Sequence, residues 1–269
     1  MNGWRSYVAI GDSFTEGLDD PRPDGLGYRG WADLVAGRLA AEHRATTRGR
    51  SRADEEPHFR YANLAVRGRL FEPIVAEQVP LALAMRPDLV SFAAGGNDVL
   101  RRGFDAAALI SRFDETIATL RATGADVLLF RFADVTTQLP AKRLILPRVR
   151  IINQAVGEVA AAHGARLVDL WRDAEFHNPL LWSEDRLHLS TYGHRRVAAH
   201  VLTVLGLEPE PSWFESPARP LPRSWSAARA ADARWARHHL APWVKRRIIG
   251  RSSGDQVTPK RPSLMPFTD

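Results

Sequence analysis

A serine, a histidine and an aspartate can together cleave an ester, and this sequence offers all three in suggestive settings. Ser13 lies in Gly11-Asp12-Ser13-Phe14-Thr15-Glu16-Gly17, directly after a short apolar run. A serine flanked by glycine at a strand's end can raise its hydroxyl above the sheet, with the backbone N–H groups of the turn aimed the same way. A serine hydroxyl is a poor nucleophile until an imidazole takes its proton, and the imidazole needs a carboxylate to fix its tautomer. Asp185 and His188, in Asp185-Arg186-Leu187-His188-Leu189-Ser190, are three residues apart and can meet across one turn. Two glycine-bearing turns complete the set. Ala94-Gly95-Gly96-Asn97-Asp98 can offer the amide of Asn97 to a ligand, and Asn63-Leu64-Ala65-Val66-Arg67-Gly68 can bring a backbone N–H close to one. Each signal has a plain structural reading as a helix cap, a tight turn or a surface ion pair.

The elements that must position these residues are legible in the apolar pattern. Runs at Tyr7–Ile10, Phe59–Leu64, Leu89–Ala94, Val127–Phe132 and Arg166–Leu170 are short, nearly continuous and partly β-branched, as strands buried on both faces are. Helical spacing appears at 106–122, where Leu109, Phe113, Ile117 and Leu120 recur behind Asp105, at 149–163, and at 191–205 behind Ser190. Weaker helices are expected at 31–43 and at 70–85, the second kinked or split by Pro80. The segment 44–57 reads as a surface loop. This β-α alternation predicts a three-layer α/β/α fold, a flavodoxin-like five-stranded parallel sheet. All four candidate segments then fall on one edge of it.

With these blocks in view, the sequence resembles the SGNH hydrolase superfamily, the GDSL-type esterases and lipases, over about residues 5–206. The family's four blocks correspond to GDSFTEG, the Gly68 turn, GGND and DRLH. The second departs from the commoner Asn-x-Gly-x-x-Gly form, because Ala65 stands in place of its first glycine. The resemblance implies that Ser13 is the nucleophile, His188 the base and Asp185 its partner. It also implies an oxyanion hole of the Ser13 N–H, the Gly68 N–H and the Asn97 side chain, and chemistry that needs no cofactor and no metal. The implied activity is cleavage of carboxylic esters through an acyl-enzyme on a small acyl ester or acetylated substrate. A carbohydrate O-deacetylase, an acyltransferase and a non-catalytic binding protein on the same scaffold are the alternatives.

Composition bounds the rest. There is no cysteine among the 269 residues, so disulfides and thiolate metal sites are excluded. His188, His194 and His200 are six apart, a spacing that does not suit metal ligands on one helix. No phosphate-binding glycine loop followed by lysine occurs. The N-terminus lacks the long apolar run of a signal peptide, so a cytoplasmic location is expected. The net charge of +6 is concentrated at the C-terminal end, where residues 207–269 carry 11 Lys+Arg against 6 Asp+Glu. The same stretch holds nine of the 18 prolines and four of the eight tryptophans. It is too poor in aliphatic residues to build a core. It is expected to be an extension appended to a 1–206 hydrolase domain: an arm docked to about residue 250, with one helix near 224–240, followed by a disordered end from Arg251. Its charge suits a weak contact with a membrane surface or an acidic partner, and nucleic acid is not expected.

Overall fold

The computed structural model describes residues 3–47, 58–139, 142–221, 224–249 and 251–267. Five parallel strands, β1 (Ser6–Gly11), β2 (Arg60–Asn63), β3 (Leu89–Ala93), β4 (Asp126–Arg131) and β5 (Arg166–Asp169), form its centre. Their order, β5-β4-β3-β1-β2, is the flavodoxin-like one expected. Alternate residues of β1 serve two cores. Tyr7 and Ala9 pack with Trp31, Val35 and Leu39 of α2 (Gly30–Thr47) and with Val197, Val201 and Leu205 of α6 (Thr191–Leu205). Val8 and Ile10 pack with Ile74 of α3 (Phe71–Met85), Ile117 of α4 (Ala106–Arg121) and Val156 of α5 (Lys142–Ala162). Such two-sided burial is why the middle of the sheet is largely apolar.

Local chemistry sets the helix starts. Asp105 accepts the Ala108 N–H to open α4, and Ser190 accepts the Gly193 N–H to open α6. The kink or split expected at Pro80 is not a break in the secondary structure: α3 is a single helix with Pro80 inside it. The missing proline N–H forfeits one rung of the ladder, and buried Ile74, Val79 and Ala82 hold both sides against the sheet. Helix α5 likewise begins seven residues earlier than its apolar period suggests and runs through Pro147. The loop expected at 44–57 is helical to Thr47, and residues 48–57 lie outside those described.

Among the described residues the sheet has six strands, one more than predicted. Strand β6 (Arg261–Pro266) pairs antiparallel with β2, so the disorder expected after Arg251 is corrected over this stretch. Two prolines and the absence of alternation hide β6 in the sequence. Both prolines are tolerable because β6 is an edge strand. It is held by Lys260, whose Nζ lies 3.0 Å from buried Asp33, and by Phe267, whose ring packs edge-on to Tyr61. The helix expected near 224–240 is α7 (Trp225–Trp235), continued by a wide turn over Ala236–Leu240 into α8 (Ala241–Ile248). Trp213, Trp235 and Trp243 are half-buried, whereas Trp225 stays exposed. Among the described residues, no helix is long and apolar enough to cross a membrane.

Candidate active site

Ser13 opens α1 (Ser13–Glu16), a single turn at the C-terminal end of β1. Asp12 caps that turn by accepting the Phe14 N–H. Gln78 of α3 fastens the approach, accepting the Gly11 N–H and donating to the Gly11 carbonyl, each at 2.9 Å. Gly11 is obligatory here, because a Cβ would stand 2.5 Å from Thr15 Oγ1 and 2.7 Å from the Ala93 carbonyl.

Asp185 and His188 lie on a loop closed at its base by a bridge between Trp182 and Leu189 and by the Ser183 N–H donating to the His188 carbonyl. Arg186 takes a left-handed φ of 63° at the bend. Asp185 Oδ1 accepts from Ser183 Oγ, the Leu187 N–H and the His188 N–H, which leaves Oδ2 facing His188 Nδ1 at 2.5 Å. His188 Nε2 is 3.0 Å from Ser13 Oγ. The three residues therefore form a continuous chain of hydrogen bonds.

The electrostatics follow from this packing. Burial alone would lift the Asp185 carboxyl, but the hydrogen bond and charge of His188 and the backbone N–H groups hold it well below the ordinary range. Burial would lower His188, yet the bond to Asp185 and the charges of Asp185, Asp19 and Asp12 raise it above its usual 6.5. Asp19 was not singled out in the sequence. Its carboxylate lies 3.9 Å from His188 Nδ1, and its backbone takes a left-handed φ of 69°. Carboxylate oxygens of Asp19 and Asp185 and a ring nitrogen of His188 all lie within 4.8 Å of one another. Burial pushes Asp12 up to about 6, with the Phe14 N–H and the His188 charge pulling the other way.

Gly68 and Asn97 are brought to the same opening. A cavity of about 730 Å³ is lined by Ser13, Gly68, Asn97, Asp185 and His188. Glu16 ties the Gly68 turn to α1 by accepting the Arg67 N–H at 2.7 Å and pairing with the Arg67 guanidinium. Gly68 has a left-handed φ of 73°. The C-terminal extension touches this turn, where Ser252 Oγ donates to the Gly68 carbonyl at 3.2 Å. Both amide hydrogens of Asn97 are engaged, one with Asp12 Oδ2 at 2.9 Å and one with the Arg69 carbonyl at 3.0 Å. Any further acceptor at Asn97 must share or displace one of these two partners, and polar contacts in substrate-free sites are often rearranged on binding.

The other histidines have separate duties. His194 is buried, with Nδ1 accepting the Trp31 N–H and Nε2 donating to the Leu18 carbonyl, and burial pushes it down to about 4. His200 bonds to Asp173 at 2.7 Å. Trp182 donates to the Phe176 carbonyl and lines a second, smaller cavity of about 120 Å³ behind Ser13 and His188.

The architecture, a mostly parallel sheet flanked by helices, is similar to that of the SGNH hydrolases, an α/β esterase class. The chain belongs to the GDSL-like lipase/acylhydrolase family, whose model matches residues 9–196. Among solved structures, the chain is similar to a tryptophan-to-isoleucine variant of Axe2, an acetyl xylan esterase from Geobacillus stearothermophilus. The TM-score is 0.58 at 18% identity, over 76% of this chain and 95% of that one. It is also similar to LAE5, an α/β hydrolase from the metagenome of Lake Arreo, Spain, with a TM-score of 0.59 at 21% identity over 75% and 95% of the two chains. TesA matches with a TM-score of 0.55 at 27% identity over 74% of this chain and 97% of its own. No curated protein matches the sequence.

Proposed function

We propose that this esterase cleaves carboxylic esters through an acyl-enzyme on Ser13. The observation that carries the reading is the chain from Ser13 Oγ to His188 Nε2 at 3.0 Å and from His188 Nδ1 to Asp185 Oδ2 at 2.5 Å. Ser13 Oγ attacks the ester carbonyl carbon while its proton passes to His188 Nε2, and Asp185 stabilises the imidazolium that forms. The negative charge on the former carbonyl oxygen is met by the Ser13 and Gly68 N–H groups and the Asn97 amide. The imidazolium then gives its proton to the departing alcohol oxygen. Water, deprotonated by His188, attacks the acyl-enzyme, and the proton returns to Ser13 as the acid leaves.

The acyl group fits best in the smaller cavity. It is bounded by Phe14, Phe132, Val135, Ile152 and Val197, and its volume of about 120 Å³ is a little below the roughly 150 Å³ that holds benzene. It therefore suits acyl chains of a few carbons, acetyl included. That supports a second reading as an O-deacetylase, in keeping with the acetyl xylan esterase activity named for Axe2. The test is hydrolysis of 4-nitrophenyl esters of rising chain length by the wild type and by Ser13→Ala. Short esters should be cleaved fastest, and the variant should lose several orders of magnitude in rate, roughly 10³-fold or more, while keeping its circular dichroism spectrum. Near-normal turnover by Ser13→Ala would place the nucleophile elsewhere.

A further inference from the structure

The two cavities meet at the reacting atoms and differ in character. Ser13, Asn97, Val99, Leu187 and His188 line both. The small one is walled by apolar side chains. The large one is strongly basic. Arg101, Arg102 and Arg148 line it from the hydrolase body, and Arg251, His238 and His239 from the extension. Among the described residues, the one carboxylate in its lining, Asp185, is already committed to His188. Arg67 is there too, but Glu16 neutralises it.

The four remaining arginines form no ion pair with a carboxylate among the described residues. Arg148 spends Nη1 on the carbonyls of Val99 and Arg101, which fixes its position without cancelling its charge. The Nε of Arg101 is buried with no hydrogen-bond partner among the described residues. Asp98 is the carboxylate that bears on Arg101, and its Oδ2 is engaged by the Phe71 N–H. Guanidinium groups gathered in a cleft with low-dielectric walls concentrate positive potential. Trp235, Leu240 and Trp243 of the extension supply apolar lining on one side, and Leu100, Leu144 and Ile145 on another. A neutral alcohol gains only ordinary hydrogen bonds and apolar contact from such a site, whereas a phosphate or carboxylate gains stronger charge-assisted and bidentate hydrogen bonds.

We propose that the large cavity between the hydrolase body and the C-terminal extension binds an anionic leaving group, so that the enzyme's substrates are short-chain esters of alcohols carrying a phosphate or carboxylate. The proposal rests on the reading of Ser13 as nucleophile. The acyl part enters the small apolar cavity, the alcohol oxygen stays beside His188, and the anion reaches the arginines. Arg102 and Arg251 are the exposed members, each on a different part of the chain, so the site is complete only with the extension in place.

The test uses butyrate esters of linear diols of two lengths, with the far hydroxyl free, phosphorylated or replaced by a carboxylate. With the full-length enzyme, kcat/KM for an anionic ester should exceed that for its uncharged counterpart by about tenfold or more. The advantage should shrink as salt is raised. The double variant Arg102→Gln with Arg251→Gln should bring the anionic ester down to the level of the uncharged one. Preference for phosphate over carboxylate, or the reverse, identifies the anion. Cleavage of every ester at similar rates, still abolished by Ser13→Ala, would overturn the anion site and leave the esterase reading standing. No Ser13-dependent cleavage of any of these esters or of 4-nitrophenyl butyrate would sink both.

Discussion

At the scale of single residues, three carboxylates, those of Asp185, Asp19 and Asp12, raise the pKa of His188, the proposed base, against its burial. Its raised pKa means that the neutral, proton-accepting form predominates only above the usual 6.5, so kcat/KM should climb with pH along an acid limb displaced upward. Asp19→Asn removes one of the charges that holds the proton on His188. Asparagine tolerates the left-handed backbone at that position. The limb should therefore move to lower pH in this variant. An unmoved limb in the kcat/KM–pH profile would show that Asp19 does not act on the base. Asn97→Ala should lower kcat by roughly 10²–10³ with little change in KM, the pattern of one lost oxyanion donor. A change confined to KM would make Asn97 a substrate-binding residue instead. Ser13, Asp185, His188, Gly68 and Asn97, which line one cavity and make up the proposed site, could be singled out in the sequence because each stands in a short segment whose chemistry is local. Asp19 could not, because its part is played by proximity to a residue far along the chain.

At the scale of elements, the strands and the helices behind Asp105 and Ser190 were readable from burial pattern and capping chemistry, and both are local properties. The true start of α5 was not, since its first turns carry little apolar period and continue past a proline. His194 shows what an element does at a distance. From α6 it holds the Leu18 carbonyl and the Trp31 N–H, and so joins the segment after α1 to the start of α2. The fold favours the neutral imidazole, with its pKa pushed down to about 4 from 6.5. An unfolded chain binds a proton there below pH 6.5, whereas the folded chain does not until about pH 4. The stability involved is fully present above pH 6.5 and is lost as pH falls toward 4, up to about 3 kcal/mol. His194→Gln can keep both hydrogen bonds without titrating. Its melting temperature should fall less than that of the wild type between about pH 7.5 and about pH 4.5. Parallel curves for the two proteins would assign the acid sensitivity to other groups.

At the scale of the whole molecule, we propose that residues 207–269 belong to the same folding unit as the body and close one side of its active site. The contacts are distributed along the extension. Trp235 Nε1 donates to the Asp185 carbonyl at 2.9 Å, and Asp232 pairs with Arg186, whose guanidinium lies over the Trp235 ring. Gly254 approaches so near the Gly68 turn that a Cβ there would stand 2.1 Å from the Arg67 carbonyl. Composition could not disclose this, because the extension has no core of its own and borrows that of the body. One anchor of the extension is Lys260. It pairs with Asp33 and donates to the carbonyls of Tyr28 and Arg29, the second at 2.5 Å. Removing one partner of a buried pair leaves the other charge without compensation, a loss of about 3–5 kcal/mol. Asp33 keeps the Tyr61 hydroxyl as a donor, which puts the expectation at the lower end of that range. Lys260→Met, which keeps much of the side-chain volume, should lower the melting temperature by roughly 6–12 °C, at about 2–4 °C per kcal/mol for a chain of this size. A chain ending at residue 256 loses β6 as well and should melt lower still, with early proteolysis of what remains of the extension. A truncated protein that melts with the wild type and resists protease equally would show that the extension rests on the body without contributing to its fold.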